Sequence, residues 1–214
     1  MVRVLLVRNK YDPLTTYMHD WSESFISQCE RRGINVDLID EDDVIKANIE
    51  SRVKGIAYSF IFLNGHGDNA CFYGYDGEVV ISSKNAHVFS NSVVFARACN
   101  CIEVLGKVSV QKHNCKCFVG YRDAFTNVRQ TNMELTPTQD SVSRPIWDAS
   151  NVVPMSLTKG STVEHAIESS HKKATHEIIR LLKNIDEPGS IPVLGALISN
   201  DSVLDYEGDG NAKI

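Results

Sequence analysis

The segment IAYSFIFLNGHG, residues 56–67, decides how the rest of the chain is read. Ile56 to Leu63 is a nearly continuous apolar run, the pattern of a strand buried on both faces, and it stops in Asn64-Gly65-His66-Gly67, a histidine between two glycines. The same design returns at 93–99, where Val93 to Ala96 leads into Arg97-Ala98-Cys99. A third run, Cys117 to Tyr121, ends in Arg122-Asp123. Strands of this kind belong to mostly parallel sheets covered by helices on both faces, and reacting groups in such sheets gather beyond the carboxyl ends of the strands. His66 and Cys99 both fall there.

Working outward, Val2 to Val7 reads as a first strand, and Leu14, Tyr17, Met18, Trp21, Phe25 and Cys29 recur at helical spacing up to a stop at Gly33. Residues 34–39 form the next strand, a short helix covers about 43–53, and residues 71–82 read as a hairpin around Asp76-Gly77. The polar stretch 123–153, with Pro137 and Pro145, reads as a long loop, flexible and lying over the substrate groove. Ser161 to Glu164 is a capping box opening a helix over 162–183, whose apolar stripe is Val163, Ile167, Ser170, Ala174, Ile178 and Leu182. A last strand is expected at Val193 to Ile198, followed by a solvated acidic tail at 205–210, for which a calcium loop is a minor alternative. The whole, residues 1–214, reads as one domain.

Composition narrows the function classes. With 43% hydrophobic and 23% charged residues the chain is ordinary for a globular protein, and no stretch approaches the roughly 20 apolar residues of a membrane span. A net charge of −5 gives no global reason to expect nucleic acid as a partner. The first residues lack a secretory pattern, so the six cysteines are expected as reduced thiols in a cytoplasmic protein. No phosphate-cradling glycine loop follows the first strand, where VRNKYDP stands at 7–13. No cofactor is expected.

A thiol attacks a carbonyl as its thiolate and needs a base nearby, which His66 can supply to Cys99. The flanking glycines let a substrate backbone approach, and the amides of Gly67 and Cys99 are candidate donors to a developing oxyanion. Taken singly, a histidine after a strand is most often a loop residue and a cysteine at a strand end a small hydrophobe. Both of them at the mouths of buried strands point to chemistry. Cys101 is a second candidate nucleophile, and Cys99, Cys101, Cys115 and Cys117, with His113, are an alternative zinc set of imperfect spacing. Cys29 and Cys71 are assigned to packing, and His87, His165, His171 and His176 to the solvated surface.

FIFLNGHG at 60–67 and VVFARAC at 93–99 together resemble the caspase-like cysteine peptidases, and FYGYDGEVVIS (72–82), ACNCIEVLG (98–106) and CFVGYRDAF (117–125) bring the chain nearest the prokaryotic CHAT-like and gingipain-like members. The resemblance implies a three-layer α/β/α sandwich with a small hairpin between the His and Cys strands. It implies a cysteine endopeptidase in which His66 carries the proton and Cys99 forms an acyl-enzyme on a protein or peptide substrate, in a prokaryotic regulatory or defence pathway. A separate regulatory protein is the expected partner, unless the enzyme is free-standing. The chain departs from animal caspases in carrying RACNC at 97–101 and in separating His66 from Cys99 by 33 residues. In several such peptidases the residue two before the nucleophile lines the pocket at the cleavage point. Here it is Arg97, and convergence with Arg8 and Arg122 would favour an acidic substrate side chain. Asp140 is a lesser candidate at the same rim and, with Asp123, a possible internal partner of Arg97. A non-catalytic binding module on the same fold is the alternative.

Overall fold

The computed structural model describes residues 2–214. The strands are β1 (Arg3–Arg8), β2 (Asn35–Asp40), β3 (Phe60–Asn64), β4 (Cys71–Tyr73), β5 (Val79–Ser82), β6 (Val93–Arg97), β7 (Cys117–Tyr121) and β8 (Leu204–Gly208). Six of them make one sheet in the order β2-β1-β3-β6-β7-β8, parallel except for β8. The pair β4-β5 is the expected hairpin, with Asp76 and Gly77 at φ +54° and +77°, the left-handed conformation its tight turn requires.

The helices are α1 (Pro13–Trp21), α2 (Glu23–Arg31), α3 (Lys46–Gly55), α4 (Lys107–His113), α5 (Arg144–Thr158), α6 (Val163–Lys183) and α7 (Ser190–Val203). Alternation along the strands feeds two cores. Phe60, Phe62, Val93, Phe95, Cys117 and Val119 pack with α1, α2, α5, α6 and α7. Ile61, Leu63, Val94, Ala96 and Phe118 pack with α3, the hairpin and the segment 102–105 ahead of α4. The inner strands β1, β3, β6 and β7 therefore bury both faces, which is why they read as unbroken apolar runs.

Four expectations need correction. The stripe from Leu14 to Cys29 is two helices meeting at Ser22 rather than one. The long loop ends at about 143, because residues 144–158 are helical: Pro145 sits in the first turn, where its missing N–H costs nothing, and Pro154 is tolerated inside a helix packed against α6. Val193 to Ile198 is helical too, with Val193, Ala196, Leu197 and Asn200 buried at helical spacing. The acidic tail holds the final strand, β8, whose Asp205 and Glu207 side chains meet Arg122.

The remaining loop is well tied down. Asp140 is fully buried and accepts hydrogen bonds from the Tyr17 hydroxyl and the amides of Gln130, Val142 and Ser143. Trp21 Nε1 donates to the Pro137 carbonyl. Among the described residues no helix is long and apolar enough to cross a membrane.

Candidate active site

β3 and β6 are neighbours in register, with Asn64 opposite Arg97 and the Gly65 amide bonded to the Arg97 carbonyl. The chain then leaves the sheet on both strands at once, so His66 and Cys99 each lie two residues beyond the edge. Gly65 is required because a Cβ there would lie 2.5 Å from Asn9 Nδ2. Gly67 is required because a Cβ there would run into Cys101 Sγ. After Cys99 the chain turns through Asn100, at φ +57°, a left-handed residue that Asn adopts more readily than most side chains, and enters the helical segment 102–113.

His66 Nε2 lies 2.6 Å from Asp12 Oδ2. Both side chains are about one-third exposed, at 34% and 31%. Asp12 is the N-cap of α1, in a reciprocal capping box with Thr15, so a carboxylate that starts a helix also holds the histidine. Burial pushes the Asp12 carboxyl up, but the Thr15 amide and His66 outweigh it and hold the group below the usual carboxylate range. The ionised carboxylate only accepts, so Nε2 carries the proton and Nδ1 is the nitrogen free to act as base. The sequence reading missed Asp12. Its signal was Asp12-Pro13 directly after a parallel strand, read there only as the absence of a phosphate loop.

Cys99 is half-buried against the core on the α1 side. Cys101 is fully buried in the opposite core, its thiol directed at the Cys71 carbonyl and pushed well up by burial. Burial also pushes up the thiols of Cys29 and Cys115, to about 12, and those of Cys71 and Cys117. The alternative zinc set does not assemble, because Cys101 and Cys115 lie in one core and Cys99 and Cys117 against the other. Among the described residues no group of three or more His, Cys, Asp or Glu could hold a metal ion.

The amides of Gly67 and Cys99 donate to no protein acceptor among the described residues. The loop bearing Gly67 is held by Asp68, which accepts from the amides of Ala70 and Cys71 and from the Tyr73 hydroxyl. The Asn69 carbonyl receives the amides of Val104 and Leu105, locking that loop to the helical segment after Cys99.

The three arginines do not converge on a rim. Arg97 is fully buried, bonded to Ser150, Asn64 and Asn151, and lies over the rings of Phe62, Phe95 and Trp147. Burial pushes its guanidinium down to about 10, which leaves it charged at neutral pH, and neither Asp123 nor Asp140 is its partner. Arg8 is clamped by Asp40 at 2.8 and 3.0 Å and by Glu23 at 2.6 Å. Arg122 pairs with Glu103, Asp205 and Glu207. Asp140 is consumed by the loop it anchors.

A groove of about 550 Å³ runs beside Asp12, walled by Tyr11, Pro13 and Thr16 and closed by Glu134 and Leu135 from the long loop. A larger cavity, about 850 Å³, opens at the amino ends of β3 and β6, away from His66 and Cys99.

No protein-family model matches the chain, and no curated protein does. Among solved structures the architecture is that of the caspase-like fold. The chain is similar to the Arg-specific cysteine proteinase gingipain R (RGPB), at TM-score 0.59 and 10% identity over 99% of this chain and 47% of that one. It is similar also to the complex of Porphyromonas gingivalis RgpB pro- and mature domains, at TM-score 0.59 and 9% identity over 99% of this chain and 48% of that one. The chain thus spans about half the length of the structures it matches.

Proposed function

We propose that the chain is a cysteine endopeptidase in which Cys99 is the nucleophile, His66 the proton carrier and Asp12 the group that orients His66. The observation that carries this is the 2.6 Å Asp12–His66 pair at the end of β3, beside a half-buried thiol at the end of the adjacent β6. Nδ1 of His66 takes the thiol proton, and Sγ bonds to the scissile carbonyl carbon as the carbonyl oxygen becomes an oxyanion. The Gly67 and Cys99 amides, free of protein partners, are the donors that receive it. Collapse expels the amine with the proton from His66 and leaves a thioester, and His66 then deprotonates a water that releases the acid and restores the thiol.

An acidic preference at the cleavage point no longer has support, since each arginine that suggested it is engaged by the protein's own side chains. The groove lined by Tyr11 and Leu135 reaches the site only through Asp12, and on this reading it takes substrate residues away from the scissile bond.

Incubation with a diverse peptide pool and mapping of the cut sites tests this reading. Cys99→Ala and His66→Ala are each expected to lower kcat/KM by about 10³-fold or more. Cleavage that survives either change would remove that residue from the mechanism, and an intact pool with wild-type protein would leave a binding module on a peptidase fold.

A further inference from the structure

Arg97 is one of the largest fully buried side chains and takes no part in the chemistry above. It is a cation in the core without a carboxylate partner among the described residues, an arrangement that costs stability unless every donor is well placed. It connects to the active site through the chain and through its hydrogen bonds. Arg97 itself stands two residues before Cys99. Its Nη1 reaches Asn64 Oδ1 at 3.4 Å, and Asn64 stands two residues before His66. Asn64 Nδ2 in turn donates to the Met18 carbonyl in α1, the helix that Asp12 caps. The other arm of the fork holds Ser150 and Asn151 of α5, and Asn151 Nδ2 donates to the Trp21 carbonyl at the end of α1.

We propose that Arg97 is the positioning residue of this site: its buried guanidinium fixes the ends of β3 and β6 and the helix α1 relative to one another, and so sets Asp12, His66 and Cys99 in register. The inference rests on the reading of those three residues as one site. A guanidinium suits the task because its donors form a rigid planar fork, and the rings of Phe62, Phe95 and Trp147 keep that fork from rotating. If Arg97 only filled the core, an apolar side chain of similar length would serve as well and leave the site untouched.

The test uses the whole chain and a readout that does not depend on peptide cleavage. The proton on His66 Nε2, bonded to a carboxylate, is expected as a low-field proton NMR resonance that disappears in His66→Ala. In Arg97→Met, with cooperative melting retained, that resonance is expected to broaden or vanish, and kcat to fall about tenfold or more while KM stays within about threefold. Arg97→Lys, which keeps the charge without the fork, is expected to remain impaired. A folded Arg97→Met with an unchanged resonance, or full activity in Arg97→Lys, would overturn the proposal. Should Arg97→Met fail to fold, Asn151→Ala removes one branch and is expected to weaken the resonance, and an unchanged signal there would overturn it equally. A wild-type protein that cuts no peptide refutes the peptidase reading but leaves the resonance to decide the role of Arg97.

Discussion

At the scale of single residues, the pair Asp12 and His66 separates two jobs that one carboxylate performs. Asp12 caps α1 through Thr15 and holds His66 through its other oxygen. Asn caps a helix about as well as Asp but offers no charge to an imidazole. Asp12→Asn is therefore expected to keep α1 capped and to lose only the stability tied to the charge on Asp12, while kcat falls about 10²-fold, measured on any peptide the wild type cuts. A large loss of stability with little loss of rate would make Asp12 a cap and nothing more. Of the cysteines, 99 and 101 were both legible as candidates from position. Only burial separates them, since Cys101 lies under Gly67 and against the second core.

At the scale of elements, the inner strands were legible because each buries both faces, and a short apolar run ending in a glycine turn suits a central strand better than a helix or a loop. The last third was harder. The run VLGALIS at 193–199 is apolar on so many positions that neither period stands out, yet it is a helix, with Ile191 and Ile198 exposed at 68% and 50%. Gly195 lies on that helix with nothing within 4 Å of a Cβ placed there. Gly195→Ala is expected to stabilise the protein by about 0.5–1 kcal/mol, read as a higher denaturant midpoint at unchanged slope. No gain would mean that α7 is not helical at that residue. The strand β8 was hidden by its charges, because Asp205 and Glu207 look solvated until Arg122 is placed opposite them.

For the molecule as a whole, depressed carboxyls predict how stability depends on pH. Burial raises Asp12, Asp40, Asp68 and Glu177, but hydrogen bonds and cations outweigh it, and all four are held below their ordinary values of 3.8 for Asp and 4.5 for Glu. A depressed carboxyl binds fewer protons folded than unfolded, so its contribution is full above the ordinary value and is lost as pH falls through the lower folded one. Asp148, raised by burial, runs the other way. Unfolding free energy is thus expected to be flat with respect to these four groups from about pH 6 to 5 and to fall steeply below about 4, with a shallower fall in Asp12→Asn. A stability that rises on acidification in that range would contradict the pairing of these carboxylates.

The sequence by itself determined the inner strands, the hairpin between the two that carry the site, and the placing of His66 and Cys99 at strand ends, because two-sided burial and glycine turns are local patterns written in consecutive residues. Only the tertiary structure decided that the strands bearing His66 and Cys99 are neighbours, that Asp12 meets His66, that Arg97 is sealed in the core rather than open to a substrate, and that the acidic tail is a strand. The last three outcomes turn on partners 54, 53 and 83 residues away along the chain, and a charged side chain shows its role only when the groups that solvate it are known.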